Sequence, residues 1–316
     1  MRLLVTGATG FLGRAIVQAG QLKGHRMVAV SRSGTDVPGA AECQACGDLA
    51  TGTEAVDLSG VDTVINCAAL VHQPNAPAAA YTPLNVDLPI ALAKAAREAG
   101  ARRFIQISSV AAIASRTPAG AILDDSATPS PATPYGASKL AADTALQELA
   151  GQGFDVISLR PPALFGPGVG APFAQLMRAA RLGLPLPLGA IRSLRSVAYV
   201  RNIADSVLCV ADASEGMVQS GSFIVTDSLP ITPPDLYSSL AWHNGHKGKL
   251  RGRSWTLPLA LIDPLARLAL GSRADSLLAS AAFSGARFAE TFSWQPEGTF
   301  EDAVASWVSK ERRSAD

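Results

Sequence analysis

Tyr135 and Lys139 lie four residues apart in the segment Tyr-Gly-Ala-Ser-Lys, a spacing that places both side chains on one face of a helix. A protonated lysine beside a phenol stabilises the phenolate, and so lowers the tyrosine pKa from about 10 towards neutrality. Such a phenol can exchange protons with a carbonyl or an alcohol. The pair therefore predicts acid–base chemistry at a carbon–oxygen bond. The alternative is an ordinary helix N-terminus with Ser138 and Lys139 on the surface.

A serine pair offers a third group for the same chemistry. The apolar residues 104–107 predict a short buried strand, and Ser108 and Ser109 follow directly at its end. A serine hydroxyl at that point can hold the substrate oxygen to which Tyr135 passes its proton. We therefore expect the strand end and the helix to meet at one site.

A glycine-rich turn at the start of the chain predicts phosphate binding. Residues 2–6 form an apolar run, Gly7, Gly10 and Gly13 follow at three-residue spacing, and a helical pattern begins at residue 11. In such a turn the backbone N–H groups and the helix dipole converge on an anion, and the missing Cβ atoms admit a pyrophosphate. The cofactor contacts expected here are Gly7, Thr9, Gly10, Phe11, Leu12 and Gly13.

The end of the predicted second strand, 27–30, is expected to bind the cofactor's ribose. The sequence has Ser31 and Arg32 there instead of the Asp or Glu that would bind both ribose hydroxyls of NAD. A guanidinium beside a hydroxyl suits a 2′-phosphate and favours NADP, although Arg32 could equally be a solvated loop residue and NAD stays possible. Asp48 is placed to meet the adenine amine, or is an ordinary turn residue.

The elements that must position these groups alternate along the first half of the chain. Strands are predicted at 2–6, 27–30, 61–67, 104–107 and 156–159, helices at 90–99 and 138–149, and late strands at 197–200 and 223–225. This alternation predicts an α/β fold, a Rossmann-type doubly wound parallel sheet with a smaller, interleaved C-terminal substrate-binding region. We expect an NAD(P)-binding domain over 1–166, to which 196–226 returns, and a substrate-binding region over 167–195 and 227–316.

Composition narrows the function classes. The 316 residues carry a formal net charge of +1 with 17% charged residues, which argues against nucleic-acid binding. Cys43 and Cys46 form a CxxC without a second pair, so we expect reduced thiols in a loop and a cytoplasmic protein without a signal peptide. The histidines lack metal-ligand spacing; they are His25, His72, His243 and His246. The apolar segment 255–271 is a poor membrane span. It is expected to be a core or lid helix pair, with peripheral membrane contact as the alternative.

These motifs, in this order, resemble the extended short-chain dehydrogenase/reductase superfamily. The resemblance implies that Ser109 is the catalytic serine, that Tyr135 is the acid/base, and that Lys139 is its partner and a ribose ligand. Asn85 matches the family's asparagine ahead of a helix. Further cofactor contacts implied by the resemblance are Leu49, Cys67, Ala68, Ala69 and Pro161.

The second half resembles one branch of that superfamily, the UDP-sugar 4-epimerases and the 4-keto-sugar reductases of O-antigen pathways. Residues 159–168 are similar to the LRPxxxYGPG segment, and 184–189 with 195–202 are close to the pattern of this branch. In that alignment Arg195 grips the diphosphate, as a guanidinium fork can. Val110 and Ala111 stand where 4,6-dehydratases carry Asp and Glu, so a dehydratase is not expected.

The resemblance implies NADPH-dependent reduction at C4 of a UDP-4-keto-6-deoxy-hexosamine-like substrate, bound by Ser109, Tyr135 and Arg195. The alternatives are a UDP-hexose 4-epimerase that retains NAD, a 3β-hydroxysteroid or flavonoid-type reductase, and a non-catalytic nucleotide-sensing scaffold. The sequence does not specify the sugar. We also expect a homodimer through the Ala-rich helices 90–99 and 138–150, where Ala141 and Ala145 offer a second apolar face. Otherwise these alanines are simply helix formers on an exposed surface.

Overall fold

A parallel sheet is the centre of the fold in the computed structural model, which describes residues 1–71, 73, 76–214, 218–246, 254–258, 260–261, 264 and 278–313. Its strands are β1 (Arg2–Thr6), β2 (Arg26–Ser31), β3 (Glu42–Ala45), β4 (Thr63–Asn66), β5 (Arg103–Ile107), β6 (Asp155–Arg160) and β9 (Gly221–Ile224). Their order across the sheet is β3-β2-β1-β4-β5-β6-β9, and every neighbouring pair is parallel.

Helices cover both faces of this sheet. The helices in the described part of the chain are α1 (Phe11–Leu22), α2 (Leu88–Glu98), α3 (Pro134–Gln147), α4 (Phe173–Arg181), α5 (Val200–Asp212), α6 (Pro233–His243), α7 (Ala286–Phe292) and α8 (Phe300–Arg313). In β1, Leu3 and Val5 pack into the core under α1 and α5, whereas Leu4 packs into the core under α2. Successive side chains point to opposite faces of a strand, so one strand fills both layers.

The strand order reverses between β1 and β4. From β1 the chain moves outward to β2 and β3, then returns to the other side of β1 for β4 and β5. At such a switch point the loops at the carboxyl ends of the two inner strands diverge and open a crevice, where doubly wound proteins bind ligands. The glycine turn after β1 and the loop after β4 therefore lie at this crevice.

A second group of elements follows β6. Strands β7 (Ala163–Phe165) and β8 (Val197–Tyr199) form a separate parallel pair. They share an aromatic-rich core with α4, α6 and α8, to which Phe165, Tyr237 and Trp307 contribute. The chain then returns to the central sheet through α5 and β9.

The predicted fold class is confirmed, with three local differences. Strand β3 was not predicted, because its residues alternate between partly buried and exposed at the sheet edge and form no apolar run. This strand contains Cys43, which was predicted to lie in a loop. Helix α3 begins at Pro134 and not at 138, because Thr133 accepts a hydrogen bond from the Gly136 N–H and caps it. The predicted strand at 197–200 pairs with β7 and not with the central sheet. The boundary at residue 166 stays a prediction.

Candidate active site

The glycine turn leaves a cradle that side chains would fill. Gly7 adopts a φ of 62°, and a Cβ there would lie 2.9 Å from the backbone nitrogen of Ala68. A Cβ on Gly13 would lie 2.4 Å from the carbonyl oxygen of Gly7. No side chain caps the N-terminus of α1 at Gly10, so this helix end can receive an anion. The backbone here fits a dinucleotide pyrophosphate, with Thr9, Phe11 and Leu12 in the same turn.

The expected ribose and adenine contacts lie at the ends of β2 and β3. Ser31 is buried and its hydroxyl accepts a hydrogen bond from the Thr35 N–H at 3.1 Å, whereas Arg32 is exposed. Asp48 is exposed and accepts from the Ala50 N–H at 3.0 Å, and Leu49 beside it is buried. The structure thus leaves the Arg32 guanidinium at the carboxyl edge of the sheet.

The loop after β4 passes beneath the glycine turn and is fixed by one asparagine. Asn85 lies in a π-helical turn (Pro83–Asp87) and is fully buried. Its Oδ1 accepts from the Leu70 N–H at 2.8 Å, and its Nδ2 donates to the Leu70 carbonyl and to the Ser138 hydroxyl, both at 3.0 Å. Asn85 therefore ties the loop that contains Cys67, Ala68 and Ala69 to α3.

The structure brings Ser109, Tyr135 and Lys139 together. The Ser109 hydroxyl shares a hydrogen bond with the Tyr135 phenol and also accepts from the Ala111 N–H at 3.1 Å. Lys139 is 2% exposed, its Nζ donates to the Ile107 carbonyl at 2.9 Å, and it lies 6.0 Å from the centroid of the Tyr135 ring. The burial of Lys139 rules out the alternative of a surface lysine on an ordinary helix.

The expected lowering of the Tyr135 pKa is wrong for this structure. Burial raises the pKa of Tyr135 to about 12, although the Ser109 hydrogen bond opposes this shift. Burial also lowers the pKa of Lys139 to about 8, against the effect of the Asp143 charge. The Lys139 ammonium donates to the Ile107 carbonyl. Desolvation of the Tyr135 phenol therefore has a larger effect on its pKa than the nearby ammonium has. Near neutral pH the Tyr135 phenol therefore keeps its proton.

Two buried polar groups beside the site were missed by the sequence analysis. The first is a chain across three strands, in which Thr6 Oγ1 donates to Asn66 Oδ1 at 2.5 Å and Asn66 Nδ2 donates to Gln106 Oε1 at 2.8 Å. All three side chains are at most 1% exposed. No periodicity marks them, because each is a single polar residue at or next to the end of its strand.

The second missed group is centred on Asp143. Its Oδ2 accepts from Ser108 Oγ at 2.9 Å and from Arg160 Nε at 2.8 Å, and the residue is 1% exposed. Asp143 follows Lys139 by four residues, as Lys139 follows Tyr135. That spacing was available in the sequence and places all three on one face of α3.

Arg195, the predicted diphosphate contact, is distant in sequence from these groups. Arg195 is partly buried, its Nη1 donates to the Ala279 carbonyl at 2.8 Å, and its backbone pairs with Ile231. Burial lowers the pKa of Arg195. Pro161 follows β6, and its carbonyl accepts from the Val110 N–H at 3.1 Å, which ties it to the loop of Ser109.

In the part of the chain that the structure describes, no cluster of His, Cys, Asp or Glu could hold a metal ion. The same residues contain no helix with the length and apolarity that crossing a membrane requires. His72 and most of the segment 255–271, with its predicted helix pair, lie outside the described residues.

Comparison with known proteins gives consistent results. The model of the NAD dependent epimerase/dehydratase family matches residues 3–225. A UDP-glucose 4-epimerase of Vibrio cholerae is 31% identical over 268 residues, covering 82% of this chain and 79% of that protein. Solved structures that share the fold include the following two. MoeE5 in complex with UDP-glucose and NAD has a TM-score of 0.76, 22% identity and 100% coverage of both chains. The human epimerase family protein SDR39U1 with NADPH has a TM-score of 0.78 and 21% identity, over 98% of this chain and 99% of that one.

Proposed function

Because this chain belongs to the NAD dependent epimerase/dehydratase family, we propose that it reduces a 4-keto UDP-sugar with NADPH, using Tyr135 as the proton donor. It is an enzyme of the extended short-chain dehydrogenase/reductase type. The substrate we favour is a UDP-4-keto-6-deoxy-hexosamine-like sugar, whose diphosphate Arg195 would bind. The V. cholerae relative, named for a UDP-sugar activity, supports this substrate class.

The observation that carries the proposal is the buried Tyr135 phenol, which is hydrogen-bonded to Ser109 and lies beside the buried Lys139. Tyr135 holds its proton well above neutral pH, and Ser109 is hydrogen-bonded to it. Reduction of a ketone needs a proton donor at the oxygen, whereas oxidation of an alcohol needs a base there. In the unliganded protein the Tyr135 phenol therefore carries the proton that reduction requires.

This chain's residues have separable roles in that reaction. A bound nicotinamide would supply the hydride, with its two electrons, for C4 of the sugar. Tyr135 gives its phenolic proton to the C4 oxygen, so the carbonyl becomes an alcohol and solvent later reprotonates the phenolate. Ser109 holds the same oxygen. The Lys139 ammonium binds the ribose and stabilises the phenolate as it forms.

We propose NADP as the cofactor because Arg32 is exposed at the end of β2 and can reach a 2′-phosphate. Arg32→Ala should weaken NADPH binding roughly 10- to 150-fold and leave NADH binding unchanged, since a hydrogen bond to a charged group contributes about 1.5–3 kcal/mol. Arg97→Ala, an exposed arginine on α2, is the control. Fluorescence titration with both cofactors measures this, and equal losses for NADPH and NADH would contradict the assignment.

A UDP-hexose 4-epimerase that retains NAD is the second candidate. The 31% identity to the V. cholerae enzyme favours it, and it would use the same three side chains in both directions. Purified protein that contains tightly bound NAD and turns over without added cofactor would place the epimerase first.

A ligand screen tests the substrate class. Thermal shifts are measured with UDP-, GDP- and dTDP-sugars, each with NADP or NAD. We expect the largest stabilisation from a UDP-sugar with NADP, followed by NADPH consumption with a UDP-4-keto-sugar. If no UDP-sugar binds, the proposal fails and a reductase of a lipophilic ketone is favoured.

The four free thiols support our expectation of a reducing, cytoplasmic environment.

A further inference from the structure

We propose that Asp143 is a positioning residue for this reaction, which keeps Lys139 in its ammonium form and fixes the ends of β5 and β6 against α3. This inference rests on the proposed roles of Tyr135 and Lys139. Asp143 touches neither substrate nor cofactor in it, and acts through its neighbours.

The charge argument begins with the burial of Lys139. A buried ammonium that donates to a neutral carbonyl still needs a counter-charge. From α3 it is faced by Tyr135 and Asp143, and from the loop after β4 by Cys67, whose pKa burial raises to about 12. Both the thiol and the phenol are neutral near pH 7, so the Asp143 carboxylate provides the negative charge.

Arg160 favours the ionised form of that carboxylate and opposes the effect of burial. Burial raises the pKa of Asp143, but the Arg160 guanidinium at 2.8 Å and the Ser108 hydroxyl both favour the charged form. Arg160 comes from β6, and its charge is directed to Asp143. The pair is 9% and 2% exposed at its side chains, so water screens it little.

The geometric argument comes from the neighbours of Asp143's partners. Ser108 directly precedes Ser109, and Arg160 directly precedes Pro161. The Asp143 carboxylate thus joins three elements. Asp143 itself lies on α3 with Tyr135, Ser108 adjoins Ser109 in the loop after β5, and Arg160 ends β6 directly before Pro161. Loss of Asp143 is expected to loosen all three together.

The test compares Asp143→Asn with Asp155→Asn in the full chain. Asp155 also pairs with a buried arginine, Arg103, at 2.9 Å. That pair lies at the start of β5 and β6, the opposite edge of the sheet from the site. Both changes remove a carboxylate from an arginine pair, so both are expected to lower the thermal midpoint. Only the first removes the charge facing Lys139.

The readout is the pH dependence of NADPH affinity, followed by fluorescence from neutral pH upward. In the unmodified protein the affinity should fall as Lys139 loses its proton. In Asp143→Asn this fall should move about one pH unit or more lower, whereas in Asp155→Asn it should stay in place. Asp143→Glu should restore it, which a packing role alone does not predict. Coincident profiles for the Asn variants would overturn the inference.

Two further measurements keep the test decisive. If Asp143→Asn does not fold, the double variant Asp143→Asn/Arg160→Gln removes the pair as a unit, which buried pairs tolerate better. If the unmodified protein binds no NADPH, the proposed function fails. The inference is then judged on the pH dependence of unfolding, where Asp143→Asn should move the Lys139 transition and Asp155→Asn should not.

Discussion

At the residue scale the site is defined by two buried titratable groups whose pKa values are shifted in opposite directions. Desolvation disfavours the charged form of each, so the Tyr135 phenol keeps its proton and the Lys139 ammonium loses its proton more easily. The two residues are four positions apart on α3, and a single carboxylate, Asp143, acts on the lysine. As the pH rises, Lys139 therefore loses its proton near pH 8, whereas Tyr135 keeps its proton to about pH 12.

Removal of the phenolic oxygen tests the proton donor. Tyr135→Phe keeps the ring that packs edge-on against Tyr81 at 6.1 Å, so the fold and cofactor binding should be preserved. Turnover should fall by about 10²–10⁴, the usual contribution of a general acid. Tyr199→Phe is the control, since it also loses a buried hydroxyl, one that bonds Ser306 at 3.1 Å. Near-normal NADPH consumption by Tyr135→Phe would sink the mechanism.

Stability should depend on pH through Lys139. Its pKa is about 8 in the folded protein and about 10.4 in the unfolded chain, so between these values the unfolded state binds more protons. The free energy of unfolding therefore rises with pH in that window, by about 3 kcal/mol in total. Lys139→Met has no ammonium to bury, so it should be more stable than the unmodified protein below about pH 8. Because the variant lacks the rise with pH, this difference in the free energy of unfolding should shrink between about pH 8 and about pH 10.

Urea denaturation at several pH values measures this difference, with Lys23→Met as the control. Lys23 is exposed and pairs with Asp205 at 2.6 Å. Its variant should follow the unmodified curve in shape. Parallel curves for Lys139→Met would show that burial does not shift this lysine.

At the element scale the glycine turn depends on close backbone approach. A Cβ on Gly13 would lie 2.4 Å from the Gly7 carbonyl, and backbone cannot yield as a flexible side chain can. Gly13→Ala should therefore cost about 1–3 kcal/mol of stability and abolish cofactor binding, because α1 must move away from the turn. Gly151→Ala is the control, since a Cβ there meets nothing within 4 Å.

Calorimetry and a cofactor titration report the two effects of Gly13→Ala separately. A variant that binds NADPH normally would mean that the turn is not the pyrophosphate site. A variant that binds poorly at unchanged stability would place the added methyl in the cofactor's own volume.

Elements with a strong periodic signal could be predicted from the sequence, and those defined by tertiary pairing could not. Strands such as β1 and β5 are apolar runs because helices cover both faces of the sheet. Strand β3 reads as polar because it is an edge strand with every second residue exposed. The residues of β8 have a strand pattern, but only their partner β7 shows which sheet they join.

The same distinction applies within the site. The positions of Ser109, Tyr135 and Lys139 follow from spacing and order along the chain. The direction of the Tyr135 pKa shift does not, since it depends on how deeply the folded protein buries the phenol and where the ammonium points. Asp143 was missed because its role requires Arg160, a strand residue that only the fold brings beside it.

At the scale of the whole molecule we expect a homodimer through α2 and α3. These helices pack side by side, with Leu92 and Leu146 buried towards the sheet and Ala91 and Ala141 exposed on the outer face. Small side chains on an outer face allow a second copy to pack closely. Ala141→Glu should therefore yield monomers, because it places a charge in that contact.

Light scattering at micromolar concentration checks the dimer. Ala141 is a better position for the change than Ala145, which is partly buried within its own subunit. Ala286→Glu, at an exposed alanine of α7, should leave the assembly unchanged. A monomeric unmodified protein would end the prediction.

The packing of α1 against α5 has a consequence for synthesis on the ribosome. The two helices lie side by side, and about 180 residues separate them in the chain. At about 5–20 residues per second, α1 therefore leaves the ribosome roughly 10–40 s before α5. During that interval the apolar side of the first helix is open to chaperones or to other nascent chains. The glycine turn is thus translated first, whereas the packing of its helix is completed late.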